Sequence, residues 1–175
     1  SWRPAWIAAS FKDNTLWRTK LGATPTTTKL AAAPGTALVI TPDGTVLYAA
    51  GTTLMAWKPD GSIVAHATLP RAILELGTTG SPALVAFTEG GLAYLVDLAE
   101  PNKVSEVDRE IGKQVAMAAD SGLILKEERG ALQIIDPLTE HKRWTLAEAP
   151  GVAYNRAGVS ADGRRVLAYT AQSTL

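Results

Sequence analysis

Histidine and acidic side chains are the groups in this sequence that could bind a metal or transfer a proton. The chain has 175 residues with two histidines and no cysteine, which excludes disulfides, thiolate metal sites and a cysteine nucleophile. His66 and His141 lie in separate segments patterned as outer β-strands, without the neighbouring ligands that a metal site needs. The sequence also lacks a His-Glu-x-x-His pair, a phosphate-binding glycine loop and a Gly-x-Ser-x-Gly elbow. We therefore predict no catalytic residue, no metal and no cofactor.

Aspartates recur in short turns. Asp43 and Asp60 each stand in a Pro-Asp-Gly turn, and Asp120 and Asp162 precede a glycine in similar turns. In such turns the carboxylate bonds the nearby backbone, and glycine takes the positive φ that other residues avoid. A calcium site would need several oxygen ligands clustered in one loop. We interpret these aspartates as structural.

The chain contains five tryptophans, a high number for its length. Trp17, Trp57 and Trp144 fall in predicted strands, where large flat side chains pack between sheets. Trp2 and Trp6 flank Arg3-Pro4, and either pack at a seam between the two chain ends or mark a partner surface, since Trp and Arg are enriched in binding hot spots. The predicted partner-binding residues are Trp2, Arg3, Trp6, Lys29, Arg71, Arg109, Lys113 and Arg129.

Composition restricts the class of partner. Lys plus Arg number 17 and Asp plus Glu number 17, so the net charge is zero, and the basic footprint of a nucleic-acid or anionic-membrane binder is missing. The longest apolar runs, such as residues 37–40 and 92–96, are too short to cross a bilayer. With 46% hydrophobic residues, the chain can bury the core of one globular domain.

Ser1-Trp2-Arg3-Pro4 has no start Met or apolar leader, which indicates a processed or excised piece, and localisation stays unassigned.

The stretch from 36 to 69 shows the clearest element order. Four short segments rich in apolar and β-branched residues (36–41, 45–50, 54–58 and 62–69) alternate with tight turns, which predicts an antiparallel four-stranded meander. Residues 70–110 and 111–150 repeat that order. The period is about 40 residues, the length of a propeller blade.

The two chain ends resemble complementary halves of the same unit. Residues 152–160 and 166–171 are patterned as a first and second strand, and residues 5–10 and 15–21 as a third and fourth. We therefore predict a β-propeller of about four four-stranded blades, at 23–69, 70–110, 111–150, and 151–175 together with 1–22. The terminal strands would close the last blade and leave no free sheet edge there. Residues 23–35 are predicted to be an irregular, exposed connector between blades, with a binding loop as the alternative.

Residues 36–69 resemble a bacterial WD40-like or YVTN-type propeller repeat, and Thr15–Gly22 resembles a quinoprotein-type repeat. The Gly-His and Trp-Asp pairs of the true WD40 signature are missing, and four blades are fewer than those families carry. A fragment of a larger propeller therefore stays open as an alternative. So does a β-sandwich, which also has short strands with turn signals at regular spacing. Helices are disfavoured, and the two segments that could form short ones, 71–76 and 102–111, fit the repeat better as strands.

The fold hosts many functions, so function is a separate hypothesis. The leading one is a non-catalytic scaffold that binds another protein, with no nucleic acid, no membrane insertion, and self-association left open. The resemblance and the missing thiols favour a bacterial periplasmic, envelope or secretion-type setting over the cytoplasm. The alternatives are a quinoprotein-like or hydrolase domain with a site at the central mouth, and an inhibitor or immunity-type binding protein.

Overall fold

The structure, a computed structural model, describes residues 6–10, 14–30, 37–79, 82–107, 113–117, 123–128, 131–136, 138–139, 141–146, 154–160 and 164–170. Every regular element in those ranges is a β-strand, which confirms the all-β prediction. β8 (Ile73–Thr78) and β11 (Val104–Val107) occupy the two segments that might have been helical. The described residues contain no helix with the length and apolar character to cross a bilayer.

Sheet 2 is the meander expected over residues 36–69. Its strands are β4 (Leu38–Ile40), β5 (Val46–Ala50), β6 (Thr53–Trp57) and β7 (Ile63–Thr68), each antiparallel to the next. The turns are tight because Gly44, Gly51 and Gly61 have φ of 89°, 64° and 90°, in the region that glycine enters without a Cβ clash.

Among the described strands, one antiparallel sheet precedes sheet 2 in the sequence and three follow it. Sheet 1 has the order β1 (Trp6–Ser10), β2 (Leu16–Lys20), β3 (Thr26–Leu30). Sheet 3 has the order β8, β9 (Ala83–Thr88), β10 (Leu92–Asp97), β11. Sheet 4 contains β12 (Lys113–Met117), β13 (Ile124–Glu128), β14 (Ala131–Asp136) and β15 (His141–Leu146), and sheet 5 contains β16 (Tyr154–Val159) and β17 (Val166–Thr170).

The chain divides into two compact units, Ser1–Leu76 with Glu100–Lys103, and Gly77–Ala99 with Val104–Leu175. In the first unit, sheets 1 and 2 pack face to face. Leu16 meets Val46, Tyr48 and Trp57 in one buried cluster, which half-buried residues of both sheets extend. Removing these side chains from water is the main stabilising contribution to this unit.

In the second unit, sheet 4 is buried on both faces. Ile124 and Ile135 pack with Val85 and Phe87 of β9, whereas Leu125, Leu132 and Ile134 pack towards Val159 and Val166 of sheet 5. Successive side chains of a strand point to opposite faces, so β14 carries an almost continuous apolar run and all six of its residues are buried.

One strand of sheet 1 differs from the expectation. The described strands form five sheets, and sheet 1 includes β3, which lies within the segment 23–35 that was predicted to be an irregular connector. Three consecutive threonines explain this strand, because β-branched residues suit extended backbone and Thr27 lies opposite Thr19 of β2. In the strand order of the described residues, β17 pairs with β16 and β1 with β2, and the closure of one blade by both chain ends stays a prediction.

Candidate functional site

The described aromatic and cationic side chains of sheet 1 form two groups, on its opposite faces. Directly opposed residues of antiparallel strands point to the same face. Trp6 is paired with Lys20 and Ala8 with Arg18, whereas Trp17 is paired with Ala9 and Lys29. We call the first group, with Gly44 and Trp57 of sheet 2, the Arg18 cluster. The second face is called the Trp17 face, and its residues are Ile7, Ala9, Trp17, Thr19, Thr27 and Lys29.

Arg18 lies almost fully buried, at 3% exposure, between two indole rings. Its guanidinium carbon is 4.2 Å from the ring centroid of Trp57 and 5.6 Å from that of Trp6. Such stacking is a cation–π arrangement, and it gains strength where water is excluded. Lys20 also approaches Trp6, with Nζ 5.6 Å from the ring centroid.

The guanidinium donates hydrogen bonds to the ends of both Pro-Asp-Gly turns. Nη1 donates to the carbonyl oxygens of Gly44 at 3.0 Å and Trp57 at 3.2 Å, and Nη2 to that of Pro59 at 3.5 Å. Nε is buried and has no hydrogen-bond partner among the described residues. Burial lowers the pKa of Arg18, and the charges of Asp43 and Asp60 oppose that shift. Arg18 therefore joins sheet 1 to two turns of sheet 2.

The two turn aspartates have the local role predicted for them. The Asp43 carboxylate accepts hydrogen bonds from Thr41 Oγ1, from Thr45 Oγ1 at 2.9 Å and from Thr45 N at 3.3 Å. Burial alone would raise the pKa of Asp43, but these hydrogen bonds outweigh it, and the pKa is lowered. Asp60 accepts from Ser62 Oγ at 2.7 Å and Ser62 N at 2.8 Å, and these bonds lower its pKa.

Trp6 lies directly on Gly44. A Cβ built on Gly44 would stand 2.5 Å from Cε2 of Trp6, closer than atoms of real side chains approach. The glycine is therefore required twice, once for its φ of 89° and once for the ring above it. The carbonyl partners of Arg18 and the packing of Trp6 make the Arg18 cluster a structural clamp.

The Trp17 face is more accessible. Ile7 is 50% exposed, Thr27 and Lys29 are exposed, and Trp17 is half-buried. Nζ of Lys29 lies 5.0 Å from the ring centroid of Trp17, whose Nε1 donates to Thr15 Oγ1 at 3.0 Å. The hydroxyls of Thr19 and Thr27 are 3.1 Å apart. This face presents an indole and an aliphatic side chain beside a positive charge.

The residues predicted to bind a partner are not all brought together. Trp6 belongs to the Arg18 cluster, Lys29 to the Trp17 face, and Arg71 is exposed in the connector between β7 and β8. Lys113 begins β12, and its side chain is outside the description. Trp2, Arg3, Arg109 and Arg129 lie outside the described residues.

The described residues offer little for metal or small-molecule chemistry. They contain no group of three or more His, Asp or Glu side chains that could hold a metal ion. An open depression of about 460 Å³ lies along the β16–β17 hairpin, lined by Gly158, Val159, Ser160, Arg165, Val166 and Leu167. There the hydroxyl of Ser160 accepts a hydrogen bond from the backbone N–H of Arg165 at 2.9 Å.

Comparison with known proteins assigns the fold. No protein-family model matches the chain, and no curated protein matches it in sequence. Among solved structures, the chain is similar to the β-propeller domain of Myceliophteria thermophila Cps50 (Swd1), with 19% identity, a TM-score of 0.63, and coverage of 95% of this chain and 59% of that one. It is also similar to apo AztD from Citrobacter koseri, with 14% identity, a TM-score of 0.55, and coverage of 83% and 45%.

These likenesses place the chain in the β-propeller fold class. At such low identity they show the fold alone, and the chain spans less than two thirds of the length of either neighbour. The fold is compatible with a non-catalytic scaffold, but it also hosts enzymes. Function has to be argued from the chain's own surface.

Proposed function

We propose that this chain is a non-catalytic β-propeller scaffold that binds another protein through the Trp17 face of sheet 1. The proposal rests on three side chains that share one face of sheet 1. Ile7 and Lys29 are exposed and Trp17 is half-buried. Aromatic anchors beside a cation are typical of binding hot spots. The Arg18 cluster, by contrast, uses its donors on backbone carbonyls inside the unit.

The chemistry of the face also specifies the partner. A complementary surface has an apolar centre for Ile7 and Trp17 and a carboxylate within reach of Lys29. A polyanion is disfavoured, because the chain carries no net charge and nucleic-acid binding depends on excess positive charge. The setting that we propose is a bacterial envelope or secretion-type assembly, supported by the repeat resemblance of residues 36–69 and the absence of cysteine.

The test compares variants of matched chemistry on and off the face. The immobilised chain captures its partner from native extract, mass spectrometry identifies that partner, and its affinity for each variant is then measured. Ile7→Asp and Lys29→Glu should weaken binding about tenfold or more, the loss expected of hot-spot residues. Ile63→Asp changes an isoleucine of β7 that is 42% exposed, and Arg71→Glu an exposed cation off the face; both should bind as the parent chain does.

Circular dichroism of each variant shows that the fold is retained, since all four positions are exposed. If Arg71→Glu abolishes binding while Ile7→Asp and Lys29→Glu do not, the partner binds at the connector between β7 and β8, and the Trp17 face is not the site. If no partner is retained by the parent chain, the scaffold proposal itself fails.

A further inference from the structure

The edge of β3 that faces away from β2 has no partner strand among the described residues, and it differs from the outer edges of the three four-stranded sheets. Strand edges with unpaired backbone groups invite pairing with another chain, and proteins protect them with short strands, bulges or charges. The pairing of β7 with β6 is interrupted by a register shift between Leu54 and Met55, and the pairing of β15 with β14 by one between Ile134 and Ile135. β11 has only four residues, two of them exposed and one of those Glu106.

β3 shows none of these protections in the part of the chain that the structure describes. Its five residues pair with β2 in unbroken register, and the first four are exposed. The described strands include none on its other edge. Its one charged residue, Lys29, leans over Trp17 of the neighbouring strand and so does not extend across the open edge.

The sequence of β3 also allows it to pair with itself without opposing like charges. An antiparallel pair of two β3 strands that uses all five residues places Thr28 opposite its own counterpart, Thr27 opposite Lys29 and Thr26 opposite Leu30. No like charges then face each other, whereas a register centred on Lys29 would oppose two cations. Cross-strand threonines are favourable neighbours, as the Thr19–Thr27 pair within sheet 1 already shows.

We propose that β3 pairs antiparallel with β3 of a second copy of this chain, about a two-fold axis through Thr28. Two three-stranded sheets then join into one six-stranded sheet. Thr27 and Lys29, which face each other across the junction, both belong to the Trp17 face, so the two Trp17 faces lie on the same side. The contact concerns the edge of sheet 1 and is independent of what its face binds.

The experiment is sedimentation equilibrium of the full chain over a concentration series, with charge changes at Thr27. In the proposed register Thr27→Lys opposes a lysine to Lys29 of each partner, and Thr27→Glu opposes a carboxylate to it. Two such pairs form per dimer, so the dimer dissociation constant should differ about tenfold or more between these variants, with Thr27→Lys the weaker. Both variants lose the same hydroxyl contact with Thr19, which makes each the control for the other.

The double variant Thr27→Lys/Lys29→Glu reverses the charges and should restore the dimer that Thr27→Lys weakens. A chain that stays monomeric at every concentration, including as Thr27→Glu, overturns the inference. A dimer of equal affinity in Thr27→Lys and Thr27→Glu also overturns it, because the contact then lies elsewhere. Dimerisation that survives Ile7→Asp while partner binding is lost separates this inference from the proposed function.

Discussion

Gly44 and Gly61 stand at the same position of two Pro-Asp-Gly turns and have nearly the same backbone, with φ of 89° and 90°. Their surroundings differ. A Cβ on Gly44 would meet the Trp6 ring, whereas a Cβ on Gly61 would have nothing within 4 Å. The pair therefore separates the cost of backbone strain from the cost of losing the space that Trp6 occupies.

We predict that Gly44→Ala destabilises the chain more than Gly61→Ala. Both substitutions force alanine into the left-handed region, at a cost of about 1–2 kcal/mol. Gly44→Ala must also displace Trp6 from Arg18, which adds about 1–3 kcal/mol as overpacking does elsewhere. Urea unfolding of both variants measures the difference. Equal losses of unfolding free energy would mean that Trp6 does not rest on Gly44.

The Arg18 cluster was only partly predictable from sequence. The turn roles of Asp43 and Asp60 followed from local chemistry, and their hydrogen bonds confirm them. Arg18 was missed because charged residues are rarely buried. The alternation of β2, which puts Arg18 on the face of buried Leu16, was the available signal. Its carbonyl partners are 26 to 41 residues away in sequence. The pattern of residue types along one sequence does not show which distant carbonyl groups a side chain will contact.

Strand patterning predicted the elements well wherever the two faces of a strand differ or turns punctuate the chain. The four strands of sheet 2 were predicted within one or two residues of their observed bounds. β3 was missed because its first four residues, three threonines and a lysine, are polar and exposed, so they give no alternation to recognise. A strand held mainly by backbone pairing with its neighbour has little hydrophobic signature.

β14 is buried on both faces. We therefore expect substitutions in β14 to lower the unfolding free energy of the second unit strongly. Leu132 of β14 is 1% exposed, and Leu167 of β17 is 79% exposed; both are strand leucines of the same unit. Leu132→Ala should cost about 2–5 kcal/mol, because it leaves a cavity. Leu167→Ala should change the unfolding free energy by about 0.5 kcal/mol or less. Chemical denaturation of the two variants measures the contrast, and comparable losses would contradict the two-faced packing of sheet 4.

At the scale of the whole molecule, the likeness to a solved β-propeller domain assigns the chain to the β-propeller fold. Within each of the two compact units, antiparallel sheets cover one another face to face. The fold class was predictable from the period of the repeat. The division of the chain into blades of a single ring, with the boundaries expected from sequence, stays a prediction. The surface was not predictable, because the residues of the Trp17 face are united only by the registers of β1, β2 and β3.

Hydrogen–deuterium exchange of the chain with and without its captured partner tests the account most directly. In the proposed complex the partner covers the Trp17 face, so the amides of β1, β2 and β3 should gain protection on binding, while those of the β7–β8 connector should exchange as in the free chain. Ile7→Asp should abolish that gain without altering exchange in sheet 4. Protection confined to the β7–β8 connector, with β1 to β3 unchanged, would contradict the assignment of the Trp17 face as the binding surface.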